Sequence, residues 1–161
     1  MLTIRLAGTG DADAVWAILE PVIRAGETYT IPRDLSREEA LTYWFSSDHE
    51  VFVAEDDGQV AGTYYLHPNQ RGGGAHVANC GYMTAAQATG RGIARAMCLH
   101  SQEHASSRGY RAMQFNFVVS TNERAVRLWQ HLGFEIVGRL PEAFQHPSLG
   151  FVDAFVMYRM L

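Results

Sequence analysis

The residues best suited to chemistry form a short glycine-bearing segment, Gln87-Ala88-Thr89-Gly90-Arg91-Gly92-Ile93-Ala94. The segment follows a strand-like stretch, Ala75 to Thr84, and leads into a helix-like stretch from Gly90 to about Arg108. A helix N-terminus has unpaired backbone N–H groups and a partial positive charge, and glycines let a ligand approach the backbone closely. The segment is therefore suited to hold a pyrophosphate, and Arg91 offers a charged donor or points to solvent.

Two common phosphate-binding motifs do not fit this segment. The dinucleotide fingerprint G-x-G-x-x-G is not completed, because the residue three after Gly92 is Arg95. The P-loop is excluded because no Gly-Lys-Ser/Thr is present. The remaining alternative is that Gly90 and Gly92 only make a tight turn between a strand and a helix.

The elements around this segment are predicted from hydrophobic periodicity and capping residues. A strand from Leu2 to Leu6 precedes a helix, and Ser36 with Glu39 forms a capping box that opens a second helix. Glu50 to Glu55 and Gln59 to Leu66 are predicted strands joined by a tight turn at Asp56-Asp57-Gly58.

The second half continues with the same signals. Gly109 is predicted to end the helix that follows the glycine segment, and a strand follows at Ala112 to Val118. Asn122 is predicted to cap a further helix, and Glu135 to Leu140 and Phe151 to Met160 are the last strands. The order β-α-α-β-β-β-α-β-α-β-β predicts an α+β fold around a mixed sheet.

Composition limits the classes of function. The 161 residues fit one domain, and we expect a single domain over 1–161. A net charge of −4 gives no general attraction to nucleic acid or to an anionic membrane, and no apolar stretch is long enough to span a bilayer. Without a secretory signal, the expected location is the cytoplasm. Cys80 and Cys98 are too few for a disulfide framework.

Two ordered motifs give the chain a family resemblance. Gln87-x-x-Gly90-x-Gly92 resembles the Q/R-x-x-G-x-G/A signature of the GCN5-related N-acetyltransferase (GNAT) family. The second signature, N-x-x-A-x-x-L-Y-x-x-x-G-F, is matched from Asn122 to Phe134 except at Trp129. The resemblance covers nearly the whole chain and implies the GNAT fold, a mostly antiparallel sheet of about seven strands flanked by four helices.

The same resemblance implies acetyl-CoA as co-substrate and assigns residues to it. Cys80, Gly81 and Tyr82 would offer backbone groups to the pantetheine arm, as an added strand would receive them. Gln87 belongs to the signature, and the amides for the pyrophosphate would come from Ala88, Thr89, Gly90, Arg91, Gly92 and Ile93. Asn122 would hydrogen-bond the cofactor near its amide or thioester end, a role compatible with capping its helix.

A finer resemblance is to phosphinothricin acetyltransferases and fungal azetidine-2-carboxylate (proline analogue) acetyltransferases. It rests on Glu27-Thr28-Tyr29, on the segment from Leu128 to Phe134 and on that from Gly138 to Phe144. It implies a small-molecule amine as acceptor, an amino acid or analogue, with Glu27, Tyr29 and Asn79 on the substrate side. Asn116 and Asn122 would stabilise the thioester as it gains charge.

Trp129 departs from the family pattern, because the tyrosine found there in many relatives can protonate the leaving thiolate and an indole cannot. No general base stands out, although His76 and Tyr64 are candidates. Two other functions stay open: a CoA-binding module without transfer activity, and a protein or peptide N-acetyltransferase. The pair His100 and His104 is better explained by a solvated helix face, so no metal is expected.

A homodimer is predicted through the C-terminal half. The C-terminal half supplies more apolar surface than its two final strands need to pack within one chain. The residues that supply it are Phe144, Leu149, Phe151, Phe155, Val156 and Met157.

Overall fold

The computed structural model describes every residue from Met1 to Leu161, and its elements follow the predicted order. The strands are β1 Leu2–Leu6, β2 Glu50–Asp56, β3 Gln59–Pro68, β4 Val77–Thr84, β5 Ala112–Val119, β6 Glu135–His146 and β7 Gly150–Met160. The helices are α1 Ala12–Ala25, α2 Arg37–Trp44, α3 Ile93–Ser107 and α4 Glu123–His131. The predicted α+β fold with seven strands and four helices is confirmed. None of the helices has the length and apolar character that crossing a membrane requires.

All seven strands form one sheet in the order β1-β2-β3-β4-β5-β7-β6. Neighbouring strands are antiparallel except β4 and β5, which are parallel and pair at only two positions, Val77 with Ala112 and Ala78 with Met113. Beyond Ala78 the two strands separate. We call the resulting opening the β4–β5 gap, and it is the feature of the fold that positions the site.

Helices cover both faces of the sheet, as the alternation of side chains along β3 shows. Trp44 of α2 donates its Nε1–H to Thr63 Oγ1 at 3.0 Å, on one face. The Tyr64 hydroxyl lies 2.7 Å from Nδ1 of His100 in α3, on the other face. Trp44 and Tyr64 are both fully buried, so the core lies on both sides of β3.

Local signals at the ends of elements are mostly confirmed. Asp57 and Gly58 have φ of 50° and 79°, as the tight turn between β2 and β3 requires. Gly109, with φ of 89°, follows the end of α3, and the Tyr110 N–H donates to the Ala105 carbonyl at 3.0 Å. The predicted start of that helix at Gly90 is wrong. The helix starts at Ile93, after the two glycines with left-handed φ that the next section describes.

Candidate active site

The β4–β5 gap opens into a cleft of about 840 Å³. Residues of β4, β5, α4, the segment before α3 and the loop after α1 line it. The lining includes no Asp, Glu, His or Lys, and its only charged side chains are those of Arg95 and Arg124. The cleft can therefore attract an anion at one place and offers no carboxylate or imidazole as a general base.

The direction of the β4 backbone follows from its flanking hydrogen bonds. On one side, the Arg111 N–H donates to the His76 carbonyl at 2.8 Å, toward β5. On the other, the Ala85 N–H donates to the Ala61 carbonyl at 2.9 Å, toward β3. Because successive residues of a strand alternate, the even-numbered residues of β4 direct their backbone groups toward β5 and the odd-numbered ones toward β3.

Cys80 and Tyr82 consequently direct their N–H and C=O groups into the gap that β5 has left. Gly81 directs its groups to β3, so the structure contradicts its predicted backbone contact with the pantetheine arm. Gly81 has another role, because a Cβ there would lie 2.6 Å from the ring of Tyr65. The glycine is needed for close packing behind the cleft.

The loop after α1 brings two predicted substrate residues to different places. Gly26, with φ of 64°, ends α1 and turns the chain. Tyr29 lines the cleft and donates its hydroxyl to the Tyr82 carbonyl at 2.8 Å. Burial raises the pKa of Tyr29, so it remains a neutral phenol. Glu27 is exposed and does not line the cleft, so its predicted place on the substrate side is wrong.

The segment between β4 and α3 presents several unpaired amides. Gly90 and Gly92 have φ of 87° and 80°, a left-handed conformation that interrupts the helical hydrogen-bond pattern. Amides without an acceptor within the chain are those of Gly90, Gly92, Ile93, Ala94 and Arg95. Four of these five residues are consecutive, at the N-terminus of α3, where the helix dipole also favours negative charge. The arrangement can bind a phosphate or pyrophosphate.

The arginine side chains around these amides differ from the expectation. Arg91 is directed to Asp56, with which it forms an ion pair, and Arg91 does not line the cleft. Gln87 is exposed and also lies outside the cleft lining, so neither of these side chains takes part as predicted. Arg95 and Arg124 line the cleft, and no carboxylate pairs with either. Neither arginine is among the site residues predicted from the sequence, although both stand in the first turn of a helix, a position from which they could have been found.

Asn122 and Trp129 of α4 also line the cleft. Asn122 is at the N-cap position of α4, but its side chain makes no capping hydrogen bond, so the predicted cap is absent. Its amide lines the cleft without an intramolecular partner. It is therefore free to donate to a bound ligand.

Trp129 both packs and faces the cleft. Its ring lies 5.1 Å from that of Tyr82 and 5.3 Å from that of Phe115, between centroids, and only 8% of the residue is exposed. Its Nε1–H makes no hydrogen bond within the chain. Because every fully buried side-chain nitrogen has a hydrogen-bond partner, Nε1 is not fully buried. The Nε1–H therefore reaches the cleft, where it can donate a hydrogen bond but not a proton.

The two other predicted asparagines are already engaged. Asn116, at the exposed rim of the cleft, donates its Nδ2–H to Asn69 at 2.7 Å and accepts from Gln114 at 2.9 Å. Asn79 donates its Nδ2–H to the Gln114 carbonyl at 2.9 Å, and its Oδ1 lies 3.0 Å from His67 Nε2. Asn79 thus connects β4 to β5, and only the second N–H of its amide is left without a partner.

The remaining candidates for acid–base or covalent chemistry do not face the cleft with reactive groups. His76 is exposed outside it, and Tyr64 bonds His100 on the α3 face. Burial raises the pKa of the Cys80 thiol, which keeps it protonated and unreactive. Direct attack of the acceptor on the acyl donor is therefore the chemistry that this cleft can support.

A matched pair of glycine substitutions tests the anion site. Gly92 and Gly109 stand at opposite ends of α3 with φ of 80° and 89°, and a Cβ at either meets no atom within 4 Å. Alanine at either position should cost about 1 kcal/mol of folding free energy, because both need left-handed backbone. Only Gly92→Ala should weaken binding of CoA, measured by calorimetry, because its methyl group would enter the ligand's space. Equal CoA affinity in the two folded variants would contradict this placement.

Comparisons with known proteins identify the family and the fold that this chain shares. The model of the acetyltransferase (GNAT) family matches residues 16–134. The N-acetyltransferase aca1 of Schizosaccharomyces pombe is 27% identical, over 83% of this chain and 72% of that protein. A GCN5-related N-acetyltransferase structure from Kribbella flavida has a TM-score of 0.95 and 43% identity, covering 99% of this chain and 98% of that one. A phosphinothricin acetyltransferase from Sinorhizobium meliloti in complex with acetyl-CoA shares the fold, with a TM-score of 0.86 and 20% identity over 99% and 88% of the chains.

Proposed function

The chain belongs to the acetyltransferase (GNAT) family of acetyl-CoA-dependent N-acetyltransferases, and we propose that it acetylates the amine of a small molecule, an amino acid or amino-acid analogue, in the cytoplasm. The acceptor attacks acetyl-CoA directly while both are bound. We further propose that residues 1–161 act as a single N-acetyltransferase domain, which the single seven-stranded sheet supports.

The observation that carries the proposal is the pairing of two ligand-binding features in one cleft. At one end are the unpaired amides of Gly90 and of residues 92–95, with the side chains of Arg95 and Arg124, neither of which pairs with a carboxylate. Along the cleft, β4 directs the backbone groups of Cys80 and Tyr82 into the gap. A ligand with a pyrophosphate at one end and an amide-containing arm fits both features, and CoA has that chemistry.

The transfer step needs little from the protein. The amine nitrogen attacks the thioester carbonyl carbon, the C–S bond breaks, and the amine proton passes to water. The sulfur leaves as a thiolate, which needs no dedicated acid because a thiol has a pKa of about 8.5. Asn122 donates to the carbonyl oxygen while that oxygen carries negative charge, so positioning and electrostatics carry the catalysis.

The other end of the cleft suits a small polar acceptor. Tyr29, Tyr43 and Tyr65 line it, together with Thr28 and Thr30. The Tyr29 hydroxyl donates to the Tyr82 carbonyl, and the hydroxyls of Tyr43 and Tyr65 are 3.2 Å apart. Burial raises the pKa of Tyr65 as it does that of Tyr29, so these phenols bind as neutral donors and acceptors. A basic peptide would require acidic groups here, and the lining has none.

Release of free thiol from acetyl-CoA across a panel of acceptors tests the function. The panel contains primary and secondary amino acids, aliphatic amines without a carboxylate, and peptides with free N-termini. We expect amino acids or their analogues to give the highest kcat/KM. Turnover with peptides alone would favour a protein N-acetyltransferase, and acetyl-CoA binding without thiol release for any amine would favour a CoA-binding module.

We also propose a homodimer through the hairpin of β6 and β7. Of the apolar residues predicted to form the contact, Phe144 and Met157 are buried within the chain, whereas Leu149 and Phe151 are 62% and 64% exposed. Val137 and Leu140 add exposed apolar surface on the same hairpin. Surface of this kind in a folded chain supports a subunit contact.

Light scattering of the purified protein at micromolar concentration should give twice the 17.9 kDa chain mass. The double variant Leu149→Ser with Phe151→Ser should give the monomer mass with the fold retained, because both side chains are exposed. A monomer mass for the unaltered chain would contradict the proposal.

A further inference from the structure

Three residues outside the cleft bring possible metal ligands together. Asp48 and His49 lie in the loop between α2 and β2, His67 lies near the end of β3, and one ligand atom from each lies within 4.8 Å of the others. The Asp48 carboxylate is 3.9 Å from Nε2 of His49 and 3.7 Å from Nδ1 of His67. The carboxylate therefore faces one nitrogen of each ring.

The hydrogen bond of the His49 ring fixes its tautomer. Nδ1 of His49 lies 2.9 Å from the carbonyl oxygen of Trp44, which can only accept, so Nδ1 carries the hydrogen. The lone pair of the neutral ring is then on Nε2, the nitrogen that faces Asp48.

The His67 ring is fixed in the same way. Its Nε2 lies 3.0 Å from Oδ1 of Asn79, and the Asn79 amide is oriented by its Nδ2–H bond to the Gln114 carbonyl. Oδ1 must therefore be the acceptor, and Nε2 of His67 carries the hydrogen. The lone pair of the neutral ring is on Nδ1, which again faces Asp48.

We propose that Asp48, His49 and His67 bind one zinc ion, with water completing the coordination. Zinc binds neutral imidazole nitrogen and carboxylate oxygen, and its histidine ligands usually donate the other ring N–H to a carbonyl or amide oxygen, as both rings do here. Ligand atoms in a tetrahedral zinc site are about 3.3 Å apart. The distances of 3.7 and 3.9 Å from Asp48, an exposed loop residue, to the two ring nitrogens would shorten if its carboxylate moved inward. The two ring nitrogens lie within 4.8 Å of each other, so the His49 and His67 rings would also have to approach slightly.

The zinc ion would stiffen the acceptor end of the cleft rather than react there. The His49 ring stacks on Tyr65 with centroids 4.1 Å apart, and His67 bonds Asn79. Tyr65 and Asn79 both line the cleft, whereas Asp48, His49 and His67 do not. The site would thus connect the α2–β2 loop and β3 to the wall that receives the acceptor.

Competition with a fluorescent zinc chelator tests the proposal, using protein without an affinity tag and stripped of metal. We expect one zinc ion per chain and a loss of affinity of at least about tenfold in both Asp48→Asn and His49→Gln. His131→Gln is the matched control, because His131 is an exposed histidine at the end of α4 and should leave binding unchanged.

Circular dichroism will establish that each variant is folded, and Asp48→Asn changes an exposed side chain without changing its shape. Crystals soaked in zinc should show an anomalous peak between the three side chains. Absence of stoichiometric binding, unchanged affinity in folded Asp48→Asn, equal loss in His131→Gln, or a peak elsewhere would each overturn the zinc site. Acetyl transfer by metal-free protein would not bear on it, so the zinc site and the proposed function can fail independently.

Discussion

Replacing Asn122 with alanine should lower kcat about 100- to 1,000-fold, the usual cost of losing one donor to a developing oxyanion. The Asn122 amide lines the cleft and has no partner within the chain, so it is free to donate to the thioester oxygen. Its contact strengthens as that oxygen gains charge, so the Kd for acetyl-CoA should change far less than kcat. Steady-state kinetics together with calorimetry measure the two quantities separately.

Trp129→Phe and Asn116→Ala are the comparisons for this prediction. The indole N–H cannot protonate the leaving sulfur, so Trp129→Phe should retain most of kcat. The Asn116 amide is held by Asn69 and Gln114 at the rim, and its removal should also have the smaller effect. An inactive, folded Trp129→Phe that binds CoA, beside a normally active Asn122→Ala, would show that the indole N–H is the essential contact.

Replacing Arg95 and Arg124 together with alanine should weaken acetyl-CoA binding by about 100-fold or more. A hydrogen bond to a charged group contributes about 1.5 to 3 kcal/mol, which is about 10- to 100-fold in Kd for each arginine. Neither arginine pairs with a carboxylate in the chain, so their removal leaves no charge uncompensated in the protein. Calorimetric titration with acetyl-CoA at two salt concentrations should also show a weaker salt dependence in the double variant.

Arg127→Ala is the matched control, because Arg127 is on the same helix as Arg124 but does not line the cleft and is paired with Glu123 at 2.8 Å. Its replacement should leave the Kd nearly unchanged. A double Arg95 and Arg124 variant that binds acetyl-CoA as the unaltered chain does would remove the anion site from this end of the cleft.

Local signals in the sequence predicted the order of the elements well. The capping box at Ser36 is present with both of its hydrogen bonds, and the turn at Asp57 and Gly58 joins β2 to β3 as expected. These features depend on a few neighbouring residues, and the conformational preferences of glycine and capping side chains decide them. The glycine segment was likewise expected between a strand and a helix, although the helix starts at Ile93 and not at Gly90.

The directions of individual side chains were not predictable in the same way. Arg91 and Arg95 are four residues apart in the sequence. Their side chains nevertheless differ in direction, since Arg91 pairs with Asp56 of β2 and Arg95 lines the cleft. That choice depends on where β2 lies in the folded sheet. Asn79 is similar, since its amide is engaged by the Gln114 carbonyl because β4 and β5 separate beside it. The gap itself depends on two strands that α3 separates in the sequence.

A crystal structure with CoA and an acceptor amine tests the central claim most directly. The account predicts that the pyrophosphate accepts hydrogen bonds from the amides between Gly90 and Arg95, and that the pantetheine arm runs along β4 at Cys80 and Tyr82. The sulfur should then lie near Asn122, with the amine on the side of Tyr29. A pyrophosphate bound away from the N-terminus of α3, or an arm outside the β4–β5 gap, would contradict it.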